Sequence, residues 1–144
     1  MIKEVYKIVK CDCNNRYYSL LIQNIDFLKI EYKINEWAKP RIGKILAFDT
    51  QKNAEIFWQI NENISYNSFL LTQSWLIFKA EAKNTKLIKR LMYLSSKFTD
   101  REYLFNTEKL IKFWSEEKNV IDETLIAPSG TLACDELKLI KEID

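Results

Sequence analysis

The sequence predicts an α+β domain, a mainly antiparallel sheet of about five to six strands with about two or three helices packed on it. Three observations predict it. Two stretches, Leu28 to Ile34 and Trp75 to Ala82, carry apolar residues at every second position, with lysines, glutamates and, in the second, Ile77 between them. A period of two sends one set to a core and the other to water, which suits antiparallel pairing. After Phe48, and again after Lys83, the apolar spacing becomes helical. The chain has 144 residues, 47% of them hydrophobic and 29% charged. That is the size and balance of a single domain, residues 1–144, able to bury a core without disulfides or metal.

Ile2 to Lys10 is rich in Val, Ile and Tyr and reads as a strand. Cys11 to Asn15 is a turn, since Asp and Asn bond nearby backbone and tolerate left-handed geometry. Arg16 to Gln23 returns as a second strand with Tyr18, Leu20 and Ile22 on one face, and so short a loop makes the pair a hairpin. Leu28, Ile30, Tyr32 and Ile34 share the inner face of the next strand, opposite Lys29, Glu31 and Lys33. Ala38 to Gly43 is a loop, and Lys44 to Phe48 is an apolar run without alternation, as a buried strand has. Asp49 or Thr50 caps a helix over Gln51 to Ile60, on which Ala54, Phe57, Trp58 and Asn61 fall at helical spacing.

Asn61 to Ser68 is polar and loop-like. In Trp75 to Ala82, Leu76, Phe78, Ala80 and Ala82 face inward. Leu87, Leu91, Leu94 and Phe98 then form the stripe of a second helix. Thr99 to Glu102 has the capping-box pattern, and Leu110, Ile111, Phe113 and Trp114 suggest a further short helix capped by Thr107. Ala127 to Gly130 fits a type I turn, with Pro second and Gly fourth. Thr131 to Ile143 is a closing strand. Its inner face shifts from Leu132 and Cys134 to Leu137 and Leu139, which requires a bulge near Asp135 and Glu136.

The composition excludes much familiar chemistry. With no histidine, neither a Ser-His-Asp triad nor an imidazole zinc site can be built. Gly43 and Gly130 are the only 2 glycines and stand far apart, whereas phosphate-binding loops need several together. The 3 cysteines, Cys11, Cys13 and Cys134, follow an N-terminus without an apolar signal segment. Free thiols in a reducing compartment are therefore expected, with no metal and no cofactor. With 22 basic and 20 acidic residues the net charge is +2, too balanced to demand a nucleic acid. Phe69 to Phe78, the longest apolar stretch, falls short of the roughly 20 residues of a membrane span. A soluble, cytoplasmic protein is expected.

Two groups of residues stand out as candidate binding sites. Trp37 lies among Asn35, Glu36, Lys39, Arg41 and Lys44, the mixture of an aromatic ring and cations that anion and nucleic-acid sites use. The same residues suit a Trp covering the end of the sheet among solvated lysines, and that reading is favoured. Lys86, Arg90, Tyr93 and Lys97, with Lys89 beside them, recur at helical spacing and could follow phosphates. An amphipathic helix must also show something polar to water, and lysine commonly serves. Asp135, Glu136, Glu142 and Asp144 read as solvated charges on the last strand.

Two stretches carry a family likeness. One is Glu31 to Trp37 followed by Lys39-Pro40, Gly43-Lys44, Phe48-Asp49-Thr50, Asn53-Ala54 and Phe57. The other is Ala127 to Thr131 followed by Asp135, Lys138-Leu139-Ile140 and Glu142. Together they resemble small proteins of unassigned function from bacteriophages and large DNA viruses, whose usual members have Gly at the position of Asn35. The order strand, Gly43-Lys44, strand, Asp49-Thr50, helix, strand is also similar to the ADP-ribosyltransferase fold. That second resemblance implies a catalytic Glu on a late strand, a role only Glu136 could take. The His of many members is absent, and no Arg or Ser-Thr-Ser pattern matches.

The expectation is a non-enzymatic viral or phage protein that binds a host or viral macromolecule, most simply a protein, for instance as an inhibitor of a host system. The alternatives are an ADP-ribosyltransferase-like enzyme, intact or degenerate, that uses Glu136, and a weak nucleic-acid binder.

Overall fold

The computed structural model describes residues 1–12, 14–19, 30–41, 43–65, 74–92 and 124–143. The central strand, β1 (Ile2–Cys11), is apolar on both sides. Val5 and Val9 enter one core, and Tyr6 and Ile8 face another. The turn after it forms as its residues predict. The Asp12 carboxylate accepts from the Asn14 and Arg16 backbone N–H groups at 2.9 Å each, and Asn15 takes φ 59°. β2 (Tyr17–Tyr18) then pairs back with Lys10 and Cys11.

β3 (Glu31–Tyr32) pairs with β2. A turn closed by the Glu36 N–H donating to the Lys33 carbonyl at 3.1 Å leads to β4 (Trp37–Ala38). β5 (Ile45–Phe48) precedes α1 (Gln51–Ser65), which starts at the expected residue and runs five residues further. Thr50 is its cap, with Oγ1 accepting from the Asn53 N–H at 3.1 Å. β6 (Ser74–Lys83), β7 (Lys86–Leu87), β8 (Arg90–Met92), β9 (Thr124–Ile126), β10 (Thr131–Cys134) and β11 (Glu136–Glu142) follow.

The pairings close a ring. β1 pairs with β6 along its whole length and with β5 at Tyr6↔Phe48. β5 pairs with β10. β10 continues into β11 through Asp135 alone, and β11 pairs with β6. Because β10 and β11 are one run of chain, these antiparallel pairs form a closed circuit, and the main sheet folds round into a small barrel. Its interior holds Val5, Val9, Tyr32, Ile45, Ala47, Phe78, Ala80, Ala82, Leu132, Cys134, Leu137 and Leu139. α1 lies on the outside, where Ala54, Phe57 and Trp58 meet Ile8, Phe48 and Trp75. Trp58 Nε1 donates to the Trp75 carbonyl at 3.2 Å.

The expected break of phase in the last strand is real, because Leu132, Cys134, Leu137 and Leu139 all reach the interior on the two sides of Asp135. The partner ribbon turns at the same level. Asn84 takes φ 55°, its Nδ2 donates to Asp135 Oδ2 at 2.9 Å, and the Asp135 N–H donates to the Lys83 carbonyl at 3.0 Å.

The expected fold class needs correction. The main sheet has nine strands rather than five or six, β8 and β9 form a separate pair, and α1 is the one helix among the described residues. The second helix was expected to begin just after Lys83, but β7 and β8 stand there. Lys86 and Leu87 complete the open edge of β10 by pairing with Ala133 and Leu132, and this tertiary pairing outweighs the helical spacing. Leu87, expected inside, is 57% exposed. Leu94 and Phe98 of the same stripe, and the third helix, lie outside the described residues. The strand expected over Leu28 to Ile34 is also shorter. Ile34 sits in the turn before β4 and is 43% exposed, and Leu28 lies outside the described residues.

Candidate functional site

β1 and β5 meet only at Tyr6↔Phe48. Beyond that bridge, β2 occupies the edge of β1 at Lys10 and Cys11. The barrel wall therefore opens between β1, β2–β3 and β5, and a cavity of about 120 Å³ lies at the opening. Its lining is mainly apolar: Ile8 from β1, Ile30 and Tyr32 from the β3 side, Ile45 to Phe48 from β5, Phe57 from α1 and Pro128 from the turn before β10. The polar side chains among its lining are those of Lys7, Ser19, Tyr32, Lys44 and Thr131.

Lys7 is the unusual member. It shares the inward face of β1 with Val5 and Val9 and is only 8% exposed. Its Nζ donates to the Leu46 carbonyl at 2.6 Å and lies 5.7 Å from the centre of the Tyr32 ring. The bond to Leu46 satisfies a carbonyl on the stretch of β5 that β1 has left. Burial drives the Lys7 amine down to about 8, against a small opposing influence from Cys134. Burial also pushes the Cys134 thiol up to about 11, and it donates to the Ile45 carbonyl at 3.4 Å. The same cause raises the Tyr32 phenol, whose buried hydroxyl makes no hydrogen bond among the described residues. Ser19 Oγ accepts from the Ile30 N–H at 3.2 Å, which leaves its own proton to donate elsewhere. Thr131 Oγ1 donates to the Pro128 carbonyl at 2.6 Å.

Of the residues singled out in the sequence, Lys44 alone lines this cavity, and its ammonium pairs with Asp135. That pairing, with the bond from Asn84, holds the Asp135 carboxyl below its ordinary range. Trp37, on β4, has two cations against its ring, one from β6 and one from β11. Lys83 Nζ is 4.2 Å and Lys138 Nζ 4.9 Å from its ring centre. Those cations are themselves paired, Lys83 with Glu136 at 3.5 Å and Lys138 with Glu81 at 3.3 Å. Lys39 reaches Glu136 at 3.9 Å, and Arg41 lies in the loop beyond β4. Glu136 is thus tied to two lysines at the start of β11 and does not line the cavity.

The basic helical stripe does not form as expected. Lys86 stands on β7 and Arg90 on β8, with Lys89 between, while Tyr93 and Lys97 lie outside the described residues. Cys11 and Cys134 are free thiols, and Cys13 lies outside the described residues. Among the described residues, no helix is long and apolar enough to cross a membrane.

The cavity itself was missed in the sequence. The available signal was parity: a lysine between two valines on one face of β1, with Tyr6 and Ile8 making the other face apolar too.

The stretch that ends at Phe57 and the stretch that begins at Ala127 meet beside the cavity. The Asp49 N–H donates to the Gly130 carbonyl at 2.9 Å, and Phe48, Phe57, Pro128 and Thr131 all line the opening. In comparisons with known proteins, no family model, no curated protein and no solved structure matches the chain.

Proposed function

We propose that this chain is a binding protein that receives a small, mainly apolar ligand in the opening of its barrel wall. The observation that carries the reading is the cavity: a concave site lined by apolar side chains from β1, β5 and α1, with a few polar groups to orient what enters. The likeness to phage and large-DNA-virus proteins extends the proposal to an infected cell, where the barrel would act on a host or viral macromolecule. The transferase reading draws no support from Glu136, whose carboxylate is engaged with Lys39 and Lys83 away from the cavity.

An NMR titration with toluene tests the proposal. Saturable shifts are expected at the backbone amides of Ile8, Ala47, Phe48 and Thr131, which surround the cavity. Saturation without shifts there, or shifts confined to another surface, would overturn it.

A further inference from the structure

We propose that the cavity selects a monocarboxylate with a compact apolar body, its carboxylate held by the Lys7 ammonium. This rests on the cavity being a ligand site and adds the charge of the ligand. The first ground is the placement of Lys7. A cation on the inward face of a barrel strand, between Val5 and Val9, is costly to bury unless it meets an opposite charge. The ion pairs of Lys39, Lys44, Lys79, Lys83 and Lys138 are all made to carboxylates on nearby strands or loops. Among the described residues, no carboxylate pairs with Lys7. It has a carbonyl and a ring face, Leu46 and Tyr32, neither of which bears a full negative charge.

The second ground is unused hydrogen-bonding capacity. An ammonium has three N–H donors, and Leu46 takes one of them. The Ser19 hydroxyl keeps a proton to donate, and the buried Tyr32 hydroxyl makes no hydrogen bond among the described residues. A carboxylate has two oxygens and accepts several such bonds, so it meets this set where an amide or alcohol meets only part of it.

The third ground is size. At about 120 Å³ the cavity approaches the roughly 150 Å³ that holds a benzene molecule in a protein interior. One ring, or a branched chain of a few carbons, fills it. The charged groups facing Lys7 leave its role intact. Lys44 is neutralised by Asp135, and burial keeps the Cys134 thiol and the Tyr32 phenol protonated at neutral pH.

The test compares acids with their uncharged amides by calorimetry: benzoate with benzamide, phenylacetate with phenylacetamide, and isovalerate with isovaleramide, with toluene as the neutral reference. Wild-type protein near neutral pH should bind at least one acid about tenfold or more tightly than its amide. Lys7→Met should lose that preference, with acid and amide then binding within about twofold of each other. If the variant does not fold, the wild type alone decides. The affinity for the acid should fall as the pH rises through about 8, where Lys7 gives up its proton, while toluene affinity stays level. Amides that bind as well as their acids, a Lys7→Met protein that keeps the preference, or an acid affinity indifferent to pH would overturn the proposal. Toluene binding without acid preference leaves the cavity reading intact and removes this one. Binding of none of the probes removes both.

Discussion

Gly130 is packed so closely on Asp49 that a Cβ at Gly130 would overlap the Asp49 carboxylate and the Asn53 amide. Those two side chains are bonded to each other, Asn53 Nδ2 donating to Asp49 Oδ1 at 2.8 Å, so neither can easily give way. Gly130 also has φ 78°, a left-handed conformation that side chains resist. Gly130→Ala should therefore cost roughly 2–4 kcal/mol, from backbone strain and overlap together. Urea unfolding measures it, and a loss below about 0.5 kcal/mol would show that the start of α1 and the turn before β10 are not locked together.

Asn35 offers a contrast. It has φ 67° in the turn between β3 and β4, and its N–H donates to the Leu139 carbonyl at 2.8 Å. Asn tolerates this region better than most residues, so Asn35→Gly should change stability by less than about 0.5 kcal/mol. Asn35→Val should lose roughly 1–2 kcal/mol. Equal stabilities for the two variants would contradict the left-handed assignment.

Phe78 lies in the barrel interior, is 1% exposed and meets the Tyr17 ring at 68°, with 5.1 Å between centres. Phe78→Ala should destabilise by about 3–5 kcal/mol through lost burial and the void left behind. Thermal and urea unfolding should agree on the loss, and a cost near 1 kcal/mol would mean that the ring collapses around the gap.

Lys7 should make stability depend on alkaline pH. In the unfolded chain it keeps its proton to about 10.5, and in the folded protein it releases it near 8. Between those values the unfolded state binds more protons, so the contribution of Lys7 to stability rises with pH. Relative to Lys7→Met, the wild type should gain in urea midpoint as the pH is raised across that window. Comparing the two proteins cancels the other lysines and the tyrosines. A difference that stays flat would show that Lys7 titrates at its ordinary value.

Several strands and the start of α1 were legible because their signals are local, whereas the closure of the sheet into a barrel was not. The outer faces of β6 carry Lys79 and Glu81, the phase shift at Asp135 is written in Leu132, Cys134, Leu137 and Leu139, and Thr50 caps α1 by chemistry that needs only three further residues. Leu87 was misjudged because its strand forms only against Leu132, a partner distant in sequence. Trp37 stood in the sequence among Lys39, Arg41 and Lys44, but the cations at its ring are Lys83 and Lys138, and their pairing with Glu136 and Glu81 depends on the lateral order of strands, which spacing along the chain does not encode. Lys7 was concealed for a related reason. A strand apolar on both faces gives no sign of which side becomes the interior until the ring has closed.

That closure ties the first strand to the last. β1 cannot be enclosed until β10 and β11 have been made, because they supply the walls opposite it. On the ribosome, β1 must therefore wait with Val5, Lys7 and Val9 in water while the rest of the chain emerges. Closure of the barrel is accordingly held back until β10 and β11 have emerged, and a nascent chain halted before Thr131 lacks the strands that complete it.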